Sequence, residues 1–532
     1  MERKKNTKLK ILFIELFLAV SLVPVVLMPW FGNQEAESAD SDVWLKPLMI
    51  DGKLNAAFFQ DASGKFDTSF AEQTGDYFSK KFAFRRELVD LGDKIKAGIF
   101  GTSGQDGVVC GRNGYLFYKD SFNDFLGRDE LSDYQIASMA YDLKLMQDEL
   151  GSQDIRFLFT IAPNKNSLYP ELMPKRYRPD TALRNAARLV PALKDLGVFY
   201  TDLYSLFEKQ KTDADTSGVM YLKGDSHWNN KGAAMVTEKL MEALGREHEE
   251  FDKEHYIIRK DFNGDLYKML YPASIVTDKQ IYYDKMTASE YNKRVRISVI
   301  DDETGEMTET EMAKDPEWSY ASEIKTESLT GKTGSLLMIR DSFGNSLAPF
   351  IADEFEEAEF LNGTPYDLSK AIDGDRDTVI FETVERNLDR LIQDAPVLTT
   401  SDLGIPEDVK PILEDLSSGI SDYNGSVEMA PSDTEFDHTH VTGRLDPEKT
   451  ENNIRPYLLM KNDDTGDTEY HALFRTDSIG DEEDADTTSA GEYGISCYIR
   501  SDKIENGSYS LFIAYEQNGN WNVSGKLCEY KN

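Results

Sequence analysis

The chain has 532 residues, of which 40% are hydrophobic, enough to build two or more cores. Its 59 lysines and arginines stand against 96 aspartates and glutamates, and the net charge of −37 repels phosphate backbones and speaks against a nucleic acid partner. Three cysteines, Cys110, Cys497 and Cys528, exclude a disulfide framework and a cysteine-rich metal site, although Cys497 and Cys528 fall in two late strand-like runs and are the pair that could bridge.

In chain order, Arg3, Lys4, Lys5, Lys8 and Lys10 precede a largely apolar run from Ile11 to Phe31 that is long enough to span a bilayer. The basic flank places residues 1–10 in the cytoplasm and the remainder outside, so an uncleaved signal anchor at 11–31 is expected. A cleaved signal peptide is the rival, with Ala36 and Ser38 as weak small-residue sites. Residues 32–75 are polar and read as a stalk.

The main folded region is expected at 76–395. Phe84, Leu88, Leu91, Ile95 and Ile99 repeat at helical spacing, and "GRNGYLFY" is a turn leading into a strand. Ile136, Met139, Leu143, Met146 and Leu150 predict a second helix. "IRFLFTIAP" then predicts a strand buried on both faces. A helix at 182–196, with Leu183, Ala187, Val190 and Leu193 on one face, leads to the strand "GVFYTDL". "NNKGAAMVTEKLMEAL" opens a helix on an asparagine cap. Residues 250–330 are polar and tyrosine-rich with weak alternation and read as an insertion of short strands and loops, after which "GSLLMIRDSFGNS", "EAEFLNG" and "DTVIFETVERN" restore the strand pattern. The alternation predicts an α/β fold with a parallel sheet flanked by helices. A Pro-, Ser- and Asp-rich linker is expected at 396–430, and the short alternating runs of 431–532 predict a separate C-terminal β-sandwich, without which the core should still fold. Tyr498, Tyr515 and Trp521 are its candidates for binding carbohydrate, with sandwich core as the favoured reading.

Two stretches carry chemistry. In "GDSHWNN", Asp225 stands two positions before His227, and in an extended segment both would project to one side. In "MIRDSFGNS", Ser342 follows a buried strand at the carboxyl edge of the sheet, where open α/β folds bind ligands and backbone N–H groups can steady an oxyanion. A serine needs a base whose tautomer is fixed by an acid, and Asp225 with His227, expected at the end of a different strand of the same sheet, are that pair. A metal hydrolase is not expected, because no histidine–glutamate cluster has metal-ligand spacing.

"GDSHWNNKGA" and "RDSFGNS", supported by "GRNGYLF", "APNKNSLYPELMP", "NGDLYKML" and "VIFETVERN", resemble the SGNH hydrolase-like domain of the alginate O-acetyltransferase family, also called DHHW proteins. The resemblance covers about 75–395. Because the Asp-His block precedes the Ser block, it implies a circularly permuted SGNH-like sheet. It further implies that Ser342 accepts an acetyl group, His227 is the general base and Asp225 orients it, with no cofactor, and that the acetyl passes to a polysaccharide hydroxyl outside the cell. A multipass membrane acyltransferase is the implied acetyl donor. Arg340 and "ETVERN" depart from the ordinary SGNH pattern, which leaves Asn345, Thr383 and Arg386 as oxyanion candidates beside the Ser342 N–H. Arg386 could equally pair with Glu382 or Glu385. Trp228 is expected to wall off His227 rather than stack on a sugar, and Asn164 and Lys165 are candidates to line the pocket. The rivals are an acetylesterase using the same residues and a non-catalytic polysaccharide-binding or assembly protein.

Overall fold

The computed structural model describes residues 49–50, 53–54 and 107–532, apart from short internal stretches at 178–183, 213–218, 252–253, 273–274, 316, 416–421, 433–436 and 478–492. The expected anchor, stalk and first helix, and Leu183, lie outside the described residues. Among the described residues no helix is long and apolar enough to cross a membrane. The chain divides into two compact units, Met1–Val108 with Tyr267–Val276, and Val109–Leu266 with Thr277–Asn532. The second holds the large sheets and the residues of both chemical motifs.

Helix α1, Asp133–Ser152, starts on a capping box in which Ser132 accepts the N–H of Gln135 and the Gln135 side chain accepts the N–H of Ser132. The five apolar residues that predicted it are all buried. Strand β1, Arg156–Ala162, comes next and is buried from Phe157 onward. Helix α2, Asn185–Leu196, turns Leu189 and Leu193 inward and leaves Ala187 exposed, so its buried face is rotated from the expected one. Strand β2 is only Tyr200–Thr201. Helix α3, Leu203–Thr212, and helix α4, Asn230–Ala243, come after it, and Asn229 caps α4 by accepting the N–H of Gly232 at 2.9 Å.

Strands β3 (Val295–Ile300), β4 (Met307–Thr310), β5 (Glu323–Ser328), β6 (Ser335–Ile339), β7 (Glu357–Leu361) and β8 (Thr378–Val384) complete an eight-stranded sheet in the order β4-β3-β5-β7-β6-β8-β1-β2. The run from β7 to β2 is parallel, whereas β5, β3 and β4 add antiparallel strands at the other edge. The sheet is therefore mixed, not wholly parallel, and the last part of the expected insertion is sheet edge. Residues within one strand alternate between two cores, as a period of two requires. Leu158, Met338 and Ile380 join α3 and α4 on one face; Phe159, Leu337 and Phe381 join α1 and α2 on the other.

The C-terminal region forms two antiparallel sheets, one of Ser426–Pro431, His438–Arg444, Gly494–Arg500 and Phe474–Thr476, the other of Thr468–Ala472, Arg455–Asn462, Ser508–Gln517, Asn520–Val523 and Cys528–Lys531. Their facing sides share one core that includes Val441, Leu458, Cys497 and Leu511. Cys497 and Cys528 lie in different sheets and are unpaired. Tyr498 and Tyr515 are buried, and Trp521 packs against Tyr457 at 5.6 Å between ring centroids, so these aromatics serve as core.

This region is not a separate hydrophobic unit. Tyr457, Leu459, Phe474 and Phe512 belong to the same cluster as α1 and the central sheet, and Val397 and Leu398, inside the expected linker, are fully buried in it. Each large side chain of that kind contributes about 1.5–3 kcal/mol by leaving water. A chain ending at residue 430 should therefore aggregate or bind an apolar-surface dye strongly. A monodisperse truncated protein with native-like near-ultraviolet circular dichroism would show that the shared cluster is dispensable.

Candidate active site

Ser342 sits three residues past β6 on the carboxyl edge of the parallel strands. The turn that presents it is tied to the neighbouring strand β8 by Asp341, whose Oδ1 accepts the N–H of Phe343 at 2.8 Å and whose Oδ2 accepts the N–H of Val384 at 2.7 Å. Arg340 folds beneath the turn, 2% exposed, and donates to Asn345 Oδ1 and, at 2.6 Å, to the carbonyl of Ala321. Burial pushes its guanidinium down to about 10, against the opposing charges of Glu382 and Asp341. A Cβ on Gly344 would fall 2.4 Å from Arg340 Cβ, so the backbone passes too close for any other residue.

Asp225 and His227 do not follow a strand, as expected, but sit in the loop between α3 and α4. Nor is the segment extended: the chain turns at Asp225, whose Oδ1 accepts both the backbone N–H of His227 at 2.9 Å and the ring Nδ1–H at 2.7 Å. The other ring nitrogen, Nε2, lies 2.9 Å from Ser342 Oγ. A carboxylate only accepts, so the proton is on Nδ1 and Nε2 is left to accept from the hydroxyl. Burial alone would raise the Asp225 carboxyl, but the hydrogen bond and charge of His227, and the N–H groups of Asp265 and His227, hold it down to about 2. Burial alone would lower the His227 imidazole; the hydrogen bond and charge of Asp225, then the charge of Asp265, raise it above its ordinary value.

Ser342 opens onto a polar cleft of about 310 Å³ lined by Tyr118, Asp120, Asp341, Asn362, Arg386, Asn387 and Arg390. Of the oxyanion candidates, Arg386 lines this cleft, donating to Asn164 Oδ1 at 3.3 Å and lying over the rings of Tyr118 and Phe343. Among the described residues it forms no ion pair: Glu385 instead accepts the N–H of Asn164 at 2.9 Å and pairs with Arg184 at 3.3 Å. Thr383 lines an adjoining cavity of about 80 Å³, and Asn345 has its oxygen engaged by Arg340, so neither lines the cleft that holds Ser342. Among the described residues no protein acceptor takes the Ser342 N–H.

Trp228 is 1% exposed and packs on Phe207 and Phe343, the second of which also packs on the His227 ring. Asn164 is buried, bonded to Arg386. Lys165 is neither exposed nor a lining residue: it is buried, and its Nζ donates to the carbonyls of Leu116 and Leu222 at 2.7 Å each and of Lys223 at 3.3 Å. Burial brings it down to about 8, against the opposing charges of Asp225, Asp265 and Asp278.

The contributions of Asp341, Arg390 and Asp265 are not legible from spacing. Asp265 lies 38 positions beyond His227, and its one sequence signal is its place within "NGDLYKML". Asp225, His227 and Asp265 are close enough to surround a metal ion. Their ligand atoms are, however, engaged with one another and with Ser226, which accounts for their proximity.

Residues 108–303 match the family described as SGNH hydrolase-like domain, acetyltransferase AlgX. Over that stretch, which holds Asp225 and His227 but not Ser342, the resemblance carried by the motifs stands. The probable alginate O-acetylase AlgJ of Pseudomonas putida is 28% identical over 178 residues, covering 33% of this chain and 44% of its own length. Its counterpart from Pseudomonas aeruginosa is 25% identical over 174 residues, covering 32% and 41%. These matches thus span under half of either relative. Among solved structures, Bacillus cereus PatB1 aligns at a TM-score of 0.43 and 17% identity, covering 53% of this chain and 96% of that one, too distant a likeness to support further conclusions.

Replacing Gly344 by alanine must displace Arg340 and with it the Ser342 turn. The expected cost is ~1–3 kcal/mol, as for other overpacked sites, read as a lower thermal midpoint. An unchanged midpoint would show that Arg340 yields freely.

Proposed function

We propose that this chain is a membrane-anchored O-acetyltransferase that works outside the cell and moves acetyl groups onto hydroxyls of a polysaccharide. The observation that carries the reading is the chain of hydrogen bonds from Asp225 through both nitrogens of His227 to Ser342. The SGNH hydrolase-like match of residues 108–303 supports it, as do relatives named as alginate O-acetylases. The order of the blocks, Asp-His before Ser, supports a circularly permuted SGNH arrangement.

In this mechanism Ser342 Oγ attacks the acetyl carbonyl as its proton passes to His227 Nε2. Asp225 keeps Nδ1–H in place and stabilises the imidazolium. The Ser342 N–H and Arg386, which lines the cleft beside Ser342, would receive the oxyanion. His227 returns the proton to the departing donor group, leaving acetyl-Ser342. A sugar hydroxyl then attacks that ester, gives its proton to Nε2, and Ser342 leaves with the same proton. The basic residues before the 11–31 run support an anchor with the site outside, so the acetyl group would have to cross the membrane, for which a multipass acyltransferase is the proposed donor.

Ser342→Ala and His227→Ala should each lower turnover of a small acetyl ester by roughly three to six powers of ten, with the double variant scarcely worse. Asp225→Asn should fold yet lose much of the rate, because the amide can hold the wrong tautomer. Mass spectrometry after rapid quenching should find the acetyl on Ser342, and an adduct elsewhere would defeat the mechanism. Adding oligosaccharide should divert acetyl from water to sugar; undiminished acetate release would identify an esterase.

His227 must be neutral to act as base, so activity falls as pH drops through its pKa, which is raised above the ordinary 6.5. The acid limb of kcat/KM should accordingly lie above that value. A limb below it would show that the two carboxylates do not govern the ring.

A further inference from the structure

A second carboxylate stands at the imidazole edge. Asp265, at the start of the short helix Asp265–Leu270, has Oδ2 3.7 Å from His227 Nδ1. Its backbone N–H donates to Asp225 Oδ2 at 2.9 Å, the oxygen that His227 does not use. Its side chain accepts the N–H of Ser226 at 2.8 Å and also the Ser226 hydroxyl. Asp265 thus grips all three residues of the turn. The approach depends on Gly264, where a Cβ would fall 2.2 Å from the carbonyl oxygen of Gly224 and 2.8 Å from Asp225 Cβ. Helix capping alone could account for the bond from the Asp265 N–H to Asp225, but not for the two bonds from Ser226 to the Asp265 side chain.

Building on the proposed role of His227 as base, we infer that Asp265 is a positioning residue for that base, its N–H aligning Asp225 and its carboxylate favouring the ring once it has taken the serine proton. Two carboxylates then face the developing positive charge, one bonded to Nδ1–H and one beside it. The opposing cation is Arg386, which works against protonation of His227 from the cleft side. Among the described residues, Lys165, Tyr118 and Tyr320 also lie within electrostatic reach of Asp265, besides Asp225 and His227. Burial and the charge of Asp225 raise the Asp265 carboxyl, and His227 draws it back.

The test uses the full-length protein and two readouts across pH: kcat/KM for p-nitrophenyl acetate, and the rate at which phenylmethylsulfonyl fluoride labels Ser342, followed by mass spectrometry. The second needs no turnover. Asp265→Asn should shift the acid limb of both profiles to lower pH and lower the plateau severalfold. Asp265→Ser, which keeps an oxygen for the Ser226 N–H but no charge, should shift the limb in the same direction. A lower plateau on an unmoved limb would assign Asp265 a merely structural role and overturn the inference, as would failure of both variants to fold. If Ser342 of the unmodified protein is not labelled at all, the proposed reading of the site fails instead. Labelling whose limb Asp265→Asn leaves in place overturns only the positioning role of Asp265.

Discussion

The site depends on an imidazole hydrogen-bonded at both nitrogens. Once Asp225 takes Nδ1–H, the tautomer is decided and Nε2 faces Ser342 Oγ as an acceptor. Each bond constrains a different part of the chain, because Ser342 belongs to the sheet edge while Asp225 and His227 belong to a loop between two helices. A loop outside the sheet has few backbone ties, here chiefly the Leu116 N–H to the carbonyl of Lys223 at 2.8 Å and a bridge between Tyr221 and Trp228, so side chains supply much of its alignment with the serine. Lys165 supplies part of this, tying the carbonyls of Leu222 and Lys223 to the segment just after β1. Asp265, together with Asp278, which accepts the N–H groups of Lys223 and Gly224, supports the turn further.

A buried ammonium is costly unless it is hydrogen-bonded, and Lys165 meets that condition with three carbonyls and the nearby faces of Tyr115 and Phe117. Its charge also lies in the field of Asp225 and Asp265, which oppose the effect of its burial. The cation offsets some of the repulsion between two neighbouring carboxylates without contacting either. On the serine side Arg340 does comparable work: a buried cation under the turn, bonded to Asn345 and the Ala321 carbonyl, beside the buried Glu382. Two loops that must meet within hydrogen-bond distance are each braced by one buried base.

How much the sequence disclosed depends on how local each signal is. Helix α1 and strands β1, β6 and β8 were legible because their patterns complete themselves within one element. The residues that converge on His227 were legible by chemical type and by family resemblance, although the turn at Asp225 was not. Strands β3 and β5 were expected only as short strands of an insertion, and their place in the central sheet was hidden because antiparallel strands with one wet face alternate inward with exposed polar residues, as in "EIKTES", where only Ile324, Thr326 and Ser328 turn inward. Lys165 looked like any surface lysine, since the carbonyls that solvate it come from residues about 50 positions away. Spacing gave no sign of Asp265 for the same reason: its partners are Asp225 and Ser226, and only its place within "NGDLYKML" marked it.

The C-terminal sheets show the same limit at larger scale. In "YLLM" of the strand Arg455–Asn462 both faces are buried: Leu458 and Met460 in the core between the two sheets, Tyr457 and Leu459 in the core shared with α1. Polar ties reinforce that junction. Asp142 of α1 accepts the N–H of Arg475 at 2.9 Å, with burial raising its carboxyl well above the usual range, and Glu149 accepts the N–H of Ser401 at 2.8 Å. A sheet that buries both faces is part of the layer it covers rather than a module on a linker. Because α1 packs directly on β1, and β1 leads into Asn164 and Lys165, the C-terminal sheets back the strand whose end braces the His227 loop.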